Sequence, residues 1–311
     1  MRGQQDKRRS RISRRARRGL VAVLAGGAVA AGSVIAVFGT AGPASASTAT
    51  APVDGAKVVC TSEKPGLAPR LSQDIARALH GRAGTSALAF YDRGTRTTCE
   101  FRSGTAFDSA SVVKVTVLCA LLRQAEEARR TLTPQEVRWA TDMITKSDNN
   151  ATTALWRELG PAGIQRFLGL AGMWHTVPGA RGAWGLTQIT AGDQLKLMQL
   201  LTEPNPGAQA VLSPSSRAYV LDLMRRVVPG QRWGVPAGAP PVVTTHVKNG
   251  WLPRAANGWR VHSVGVFTGG GHDYGMAVLS HGNRTMEYGV GTVEAAARVI
   301  HRDLQAAASG G

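Results

Sequence analysis

Acidic side chains are in short supply in this sequence: 20 stand against 37 lysines and arginines among 311 residues, and none falls in the stretch from 173 to 187. Cysteines number three, and the seven histidines are scattered, with no Cys/His spacing resembling a zinc site, so a metal mechanism is disfavoured and no cofactor is expected. Aromatics make up 5% of the chain and do not interleave with its cations, and beyond residue 46 no Lys/Arg run exceeds two. A nucleic-acid surface needs clustered positive charge and stacking rings, so nucleic-acid partners are excluded as a class. Internal repeats are also missing, which removes the solenoid and propeller architectures.

The basic excess is concentrated at the N-terminus. Arg8, Arg9, Arg11, Arg14, Arg15, Arg17 and Arg18 precede a Gly/Ala-rich apolar stretch from Gly19 to Phe38, and Ala44-Ser45-Ala46 fits a small-residue cleavage site. Residues 1–46 are therefore read as an export signal, with Ser13 to Leu20 resembling the twin-arginine type and the Sec route the alternative. Twenty apolar residues could span a bilayer if left uncleaved. With cleavage, no membrane insertion is expected, and since no cysteine directly follows the apolar stretch, lipid attachment is disfavoured. Nine of the basic residues and one acidic residue lie before Ser47, leaving 28 and 19 and a diffuse net charge of +9. Export also makes the cysteines informative: Cys60 and Cys99 lie outside the central helices and could pair, with their pairing left open by the sequence, whereas Cys119, inside an apolar run, reads as a buried free thiol.

The remaining 265 residues suffice for one large domain, expected to be a monomer. Residues 47–57 read as a flexible leader and 58–311 as the domain. Leu71, Ile75 and Leu79 mark a first helix, and Ser86–Asp92 with Thr97–Arg102 form a hairpin around Arg93-Gly94-Thr95. Helices then dominate: one from Ser111, then Pro134–Lys146, Ala151–Leu159, Gly163–Leu170, Ala191–Leu201 and Pro214–Val227. Strands return at Val242–Lys248, Arg260–Thr268 and Tyr274–Ser280, before a last helix from Thr292 to Ala306. The fold class is thus α/β of the α+β kind: an antiparallel sheet built from both termini and flanked by helices, with an inserted all-helical subdomain and a site in the groove between them.

Three short motifs lie along this framework. Ser111-Val112-Val113-Lys114 sets a hydroxyl and an amine one helical turn apart, on one face, so that Lys114 can take the Ser111 proton if it is neutral. Burial, a helix N-terminus and a nearby cation such as Lys248 would all depress its pKa. Asp108 and Ser109 are candidate N-caps for the helix, whose first turn would favour developing negative charge at Ser111. Ser147-Asp148-Asn149 joins two helices, and Lys248-Asn249-Gly250 ends a β-branched run. Average usage yields roughly one Ser-x-x-Lys per chain of this length, so the weight lies in all three motifs occurring in order and in fitting contexts.

With these motifs, from about Leu71 onward, the chain resembles the serine β-lactamase and penicillin-binding superfamily, closest to class A β-lactamases. The resemblance implies Ser111 as nucleophile, Lys114 as its base, Ser147 as proton relay to the leaving nitrogen and Lys248 as positive charge beside the substrate carboxylate. It also implies a substrate-binding edge of Asn149, Asn249, Gly250 and Trp251, with the backbone N–H groups of Ser111 and Trp251 as oxyanion hole. Class A enzymes activate the deacylating water with a Glu on an omega loop. The matching stretch here, Met173 to Thr187, is shorter and holds no acid. Ser111 and Ser147 are only 36 residues apart, tighter than in class A, which implies a more open cleft. Asn249 stands where the family prefers Thr or Ser; His246, on the same strand face as Lys248, reads as an ordinary strand histidine.

The implied activity is a secreted serine hydrolase acylated at Ser111 by β-lactams or D-Ala-D-Ala-type amides, with slow deacylation. Its partners would be a small-molecule β-lactam or a peptidoglycan stem peptide. The alternatives are a small DD-peptidase of cell-wall metabolism and a non-catalytic protein that captures cell-wall peptides. Arg254 and Arg260 are further candidates for a substrate carboxylate, although both read first as surface arginines.

Overall fold

The structure, a computed structural model, describes residues 45–309 apart from 205, 206, 208, 209 and 257. The export-signal reading of residues 1–46 therefore falls almost entirely outside the described residues. Seven strands form one antiparallel sheet: β1 (Ser47–Val53), β2 (Ala56–Ser62), β3 (Thr85–Asp92), β4 (Thr97–Phe101), β7 (Thr244–Leu252), β8 (Trp259–Gly269) and β9 (His272–Asn283), in the order β1-β2-β4-β3-β9-β8-β7. Strands from the two ends of the domain meet at β3 and β9, where Leu88 lies opposite Val278 and Phe90 opposite Met276. The short strands β5 (Phe107–Asp108) and β6 (Gln188–Ile189) pair separately beside the site.

Helix α1 (Leu67–Leu79) buries Leu71, Ile75 and Leu79 and packs with α7 (Met286–Ser309). Helix α5 (Ala191–Thr202) packs against β3, β8 and β9. The remaining helices, α2 (Val113–Glu127), α3 (Pro134–Thr145), α4 (Asn149–Leu170) and α6 (Pro214–Arg225), pack on one another, as the inserted helical region requires. Their starts are written locally. Thr133 and Glu136 form a reciprocal capping box with Pro134 at the first position, Asp148 accepts from Ala151 N, and Ser213 accepts from Ser216 N ahead of Pro214. Helix α4 runs through both helices expected there, broken where Gly160 adopts φ 63° before Pro161. Helix α2 is buried almost all round, including Val113, Val117, Leu118, Leu121 and Cys119, which is what a helix apolar on every face must be.

Two expectations need correction. Residues 47–57 are not a flexible leader but the outer hairpin of the sheet: β1 pairs with β2 across an Asp54-Gly55 turn in which both residues have positive φ. Alternate residues Ala51, Val53 and Val58 are buried, so the hairpin has a core-facing side, and the Asp-Gly pair between alternating residues is its sequence signal. The third motif does not end its strand either. β7 continues through Gly250 to Leu252, with Trp251 opposite Val261 and Leu252 opposite Arg260, while Val242, after a Pro-Pro pair, lies outside it.

Cys60 and Cys99 are opposite one another on β2 and β4 and form a disulfide across 39 residues of sequence, and Cys119 is a buried free thiol. The link holds the N-terminal hairpin to the rest of the sheet. Replacing both cysteines with serine should lower unfolding stability by roughly 4 kcal/mol, the loop-entropy value for a closure of this length, measured by denaturant titration.

Candidate active site

The nucleophile candidate stands on a bend rather than on a regular helix start. Ala110 has φ 45°, a left-handed conformation that costs a non-glycine residue roughly 1–2 kcal/mol, and residues Ala110–Val112 form a 3₁₀ turn that leads into α2 at Val113. Neither expected cap is used. Asp108 accepts from Arg260 Nε at 3.0 Å and Gln188 Nε2 at 2.8 Å, and Ser109 Oγ donates to the Ala110 and Trp184 carbonyls. The turn is held instead by its neighbours: Ser109 N donates to Thr187 O at 2.8 Å, and His262 Nε2 lies 2.8 Å from Asp108 O. His262 also accepts from Ser280 N, so its Nε2 carries the proton. Burial depresses its pKa to about 4, which makes it a neutral structural strut.

Strand β7 runs against this turn so closely that a Cβ on Gly250 would stand 2.9 Å from both Ser111 N and Val112 N and 3.0 Å from Ser109 O. Glycine is required there by contact with backbone, not by φ. The same approach brings Lys248 into the interior. Lys248 Nζ donates to Ser147 Oγ at 3.1 Å and to its neighbour Asn249 O at 2.9 Å. Lys114 Nζ donates to Ser147 O at 2.6 Å, Ser147 Oγ at 3.0 Å and Asn149 Oδ1 at 2.8 Å. One hydroxyl thus touches both lysines, and Ser147 itself is held at φ 60° to do so.

Both ammonium groups are fully buried, and burial disfavours their charged forms. It pushes Lys114 down to about 7, with the Asp148 carboxylate pulling the other way, and it pushes Lys248 well below the ordinary lysine range, with repulsion from Lys114 adding to the effect. Lys114 can therefore act as a base near neutral pH. Its hydrogen bonds run to Ser147 and Asn149 and not to Ser111 Oγ, which has no hydrogen-bond partner among the described residues. Contacts of this kind commonly close up only when substrate is bound.

The structure places Ser111, Lys114, Ser147, Asn149, Lys248 and Gly250 together. Asn149 is exposed, and with Oδ1 engaged by Lys114 its Nδ2 has no partner among the described residues, leaving a donor for a ligand carbonyl. Asn249 departs from expectation. It is fully buried, and Nδ2 donates to Gln231 O at 2.9 Å and Trp233 O at 2.8 Å, so it does not face a substrate. It holds a loop whose other contacts, Gln231 Nε2 to Lys146 O and Val228 N to Thr145 O, reach the end of α3 just before Ser147. Trp251 packs edge-on against Trp233 at 5.9 Å on this side. His246 is a strand histidine as read, with its ring nitrogens on Leu221 O and Thr268 Oγ1. Arg260 is taken by Asp108.

One residue at the site has no signal in the sequence. Trp184, in the stretch that lacks acids, lies with its ring over Lys114 Nζ at 4.9 Å, and its Nε1 donates to Thr153 Oγ1 at 3.1 Å. The base of that stretch is fastened by buried Asp193, which accepts from His175 N, Thr176 Oγ1 and Lys196 Nζ.

A sheet made from both termini, with Ser111 on a turn against strand β7 and two buried lysines meeting at Ser147 beside a helical insertion, is a β-lactamase-like fold. The family model described as "Beta-lactamase enzyme family" matches residues 70–139 and 137–304, and the chain belongs to that family, within the serine β-lactamase and penicillin-binding superfamily. Among solved structures it is similar to PBP-A, at TM-score 0.65 and 21% identity over 76% of this chain and 96% of that one. A β-lactamase from Sphaerobacter thermophilus gives TM-score 0.64 and 18% identity, over 75% and 97%. Among curated proteins, "Putative lipoprotein LppW" of Mycobacterium tuberculosis is 28% identical over 207 residues, 63% of this chain and 62% of that protein's length.

The base assignment is testable by pH. If Lys114 is the base for Ser111, the acylation rate should rise with pH through about 7 and then level off, and Lys114→Arg, permanently charged, should lose at least about 10²-fold. Gly250→Ala should cost a similar 10²–10³-fold, about the value of one oxyanion donor, with circular dichroism unchanged.

Proposed function

We propose that this protein is an exported serine hydrolase, acylated at Ser111 by β-lactams or by D-Ala-D-Ala-type amides, that releases its acyl group slowly. The observation that carries this reading is the Ser147 hydroxyl in contact with both buried lysines. Such an arrangement moves protons and has no use in a protein that merely binds. Lys114 takes the Ser111 proton as Oγ attacks the amide carbonyl. The developing oxyanion is met by the N–H groups of Ser111 and Trp251, where one donor is typically worth about 2.7–4 kcal/mol of barrier. Ser147, between the two lysines, passes a proton to the leaving nitrogen. A substrate carboxylate drawn to Lys248 favours its charged form and leaves Lys114 the neutral partner. Asn149 Nδ2 holds the substrate amide.

Slow release follows from the stretch 173–187, which holds no carboxylate. Without a general base, typically worth 10²–10⁴, hydrolysis of the acyl-enzyme should fall about three powers of ten below that of an enzyme that has one. This favours a peptide substrate of the cell wall over efficient destruction of β-lactams. Among the solved structures it is similar to, the L158E variant of PBP-A forms an acyl-enzyme complex with penicillin G. Export is supported by the cationic and apolar N-terminus and by the lipoprotein name of the curated relative. Among the described residues no helix is long and apolar enough to cross a membrane.

The test is an intact-mass time course of the purified protein with excess benzylpenicillin, with Ser111→Ala as control. A lasting single adduct on the wild type alone is expected. Rapidly opened drug without a lasting adduct would overturn slow release, and intact drug without adduct would overturn the acyl-enzyme reading itself.

A further inference from the structure

The ring of Trp184 lies over Lys114 Nζ at 4.9 Å, on a loop with little freedom to withdraw it. Trp184 O accepts from Thr187 N at 3.1 Å and from Ser109 Oγ at 3.3 Å, and Thr187 O is bound in turn by Ser109 N, two residues from the nucleophile. At the other side of the loop, a Cβ on Gly179 would meet Ala183 O at 2.0 Å, so the two limbs are pinched together directly beside the tryptophan. The indole nitrogen is committed to Thr153, one helical turn beyond Asn149 on α4. Trp184 therefore presents carbon, with no acceptor for a water proton, to the base of the nucleophile. The ring is fixed from two directions, by the segment before Ser111 and by the helix that follows Ser147.

From this geometry we propose that Trp184 is a water-excluding cover on Lys114 that lengthens the life of the acyl-enzyme. The inference rests on the acylation of Ser111 described above. Hydrolysis of the acyl-enzyme breaks the bond between the acyl carbon and Ser111 Oγ; water supplies OH to the carbon and H to Oγ, with a base holding the proton in passage. The lysine is the base within reach, and a water approaching it from the loop side meets the indole. The loop is thus more than a shortened segment lacking a carboxylate: an apolar side chain is pinned over the lysine on the side that faces the loop. A cover of this kind also serves acylation, since it keeps Lys114 desolvated and its neutral form populated.

The experiment compares wild type, Trp184→Ala and Trp184→Phe in two assays. In the first, each protein is acylated with benzylpenicillin, freed of excess drug and followed by intact mass. Trp184→Ala should lose its acyl group at least about tenfold faster without acylating faster, a split that general loosening of the fold would not produce. Trp184→Phe keeps a ring but loses the bond to Thr153, and should stay within about threefold of wild type in acyl lifetime. An unchanged lifetime in Trp184→Ala overturns the proposal, as does a Phe variant that releases as fast as the Ala variant. In the second assay, carbamylation of lysines by cyanate is mapped by peptide mass spectrometry, with the exposed Lys146 as internal reference. With the assay run at a pH well above 7, where Lys114 is largely unprotonated in both proteins, Lys114 should react faster relative to Lys146 in Trp184→Ala than in wild type. This arm needs no acylation, so if no protein forms an adduct the acyl-enzyme reading fails by itself, and an unchanged Lys114 ratio would overturn the cover separately. Should Trp184→Ala fail to fold, Trp184→Leu takes its place in both assays.

Discussion

Two lysine ammonium groups buried against one serine hydroxyl are the constraint around which this domain is organised. An ammonium group taken out of water is costly, and two that share a partner repel each other as well. The structure meets this by lowering the protonation of both, and by giving each nitrogen fixed acceptors: the Ser147 carbonyl and hydroxyl, Asn149 Oδ1 and the Asn249 carbonyl. The two nitrogens and their acceptors come from α2, the α3–α4 turn with the start of α4, and β7, so the site can exist only after these have come together. The depressed lysine that results is a liability for stability and the means of chemistry at neutral pH.

Close approach of backbones is what lets these elements meet. Gly250 allows β7 to lie on the Ser111 turn, and Ala110 and Ser147, both at positive φ, turn the chain sharply at the two motifs where a hydroxyl must be presented. Strain of this order persists only where surrounding contacts overdetermine it. Here the Thr187 carbonyl and His262 hold the first turn, and the Asp148 cap with the Val228 and Gln231 contacts to the end of α3 holds the second. Asn249 is part of the same bracing, since its amide group ties strand β7 to the loop that reaches α3.

Much of the fold was legible because local chemistry specified it. The apolar run after Ser111 could only be a buried helix, Thr133-Pro134-Gln135-Glu136 and Ser213-Pro214 announce helix starts, β4 shows alternating burial, and β3, β8 and β9 are largely buried runs bounded by turn residues. The helical insertion and the sheet from both termini follow from that order of elements. The outer hairpin was missed because the residues of its buried face, Ala51, Val53, Val58, Cys60 and Ser62, are small, although Asp54-Gly55 was a usable signal. Asn249 was misplaced for a different reason. Side chains alternate across a strand, and with Lys248 turned toward Ser147 its neighbour must face the other way, toward Gln231 and Trp233. Trp184 could not have been found at all: a tryptophan in a Gly/Ala-rich stretch carries no periodicity or spacing that says what its ring will cover.

Composition and motif order were enough to name the candidate groups: a serine and a lysine one turn apart, a second serine between helices, a second lysine on a strand, and no carboxylate between 173 and 187. Those are properties of residue identity and short-range spacing, which covalent geometry transmits directly. Distances, protonation and exposure were a matter for packing. Ser147 Oγ and Lys248 Nζ come from residues 101 apart in the chain and lie 3.1 Å apart in space, and the low pKa of Lys114 comes from its burial. A lysine is an ordinary surface cation until a fold removes its water, and no local stretch of sequence can do that alone.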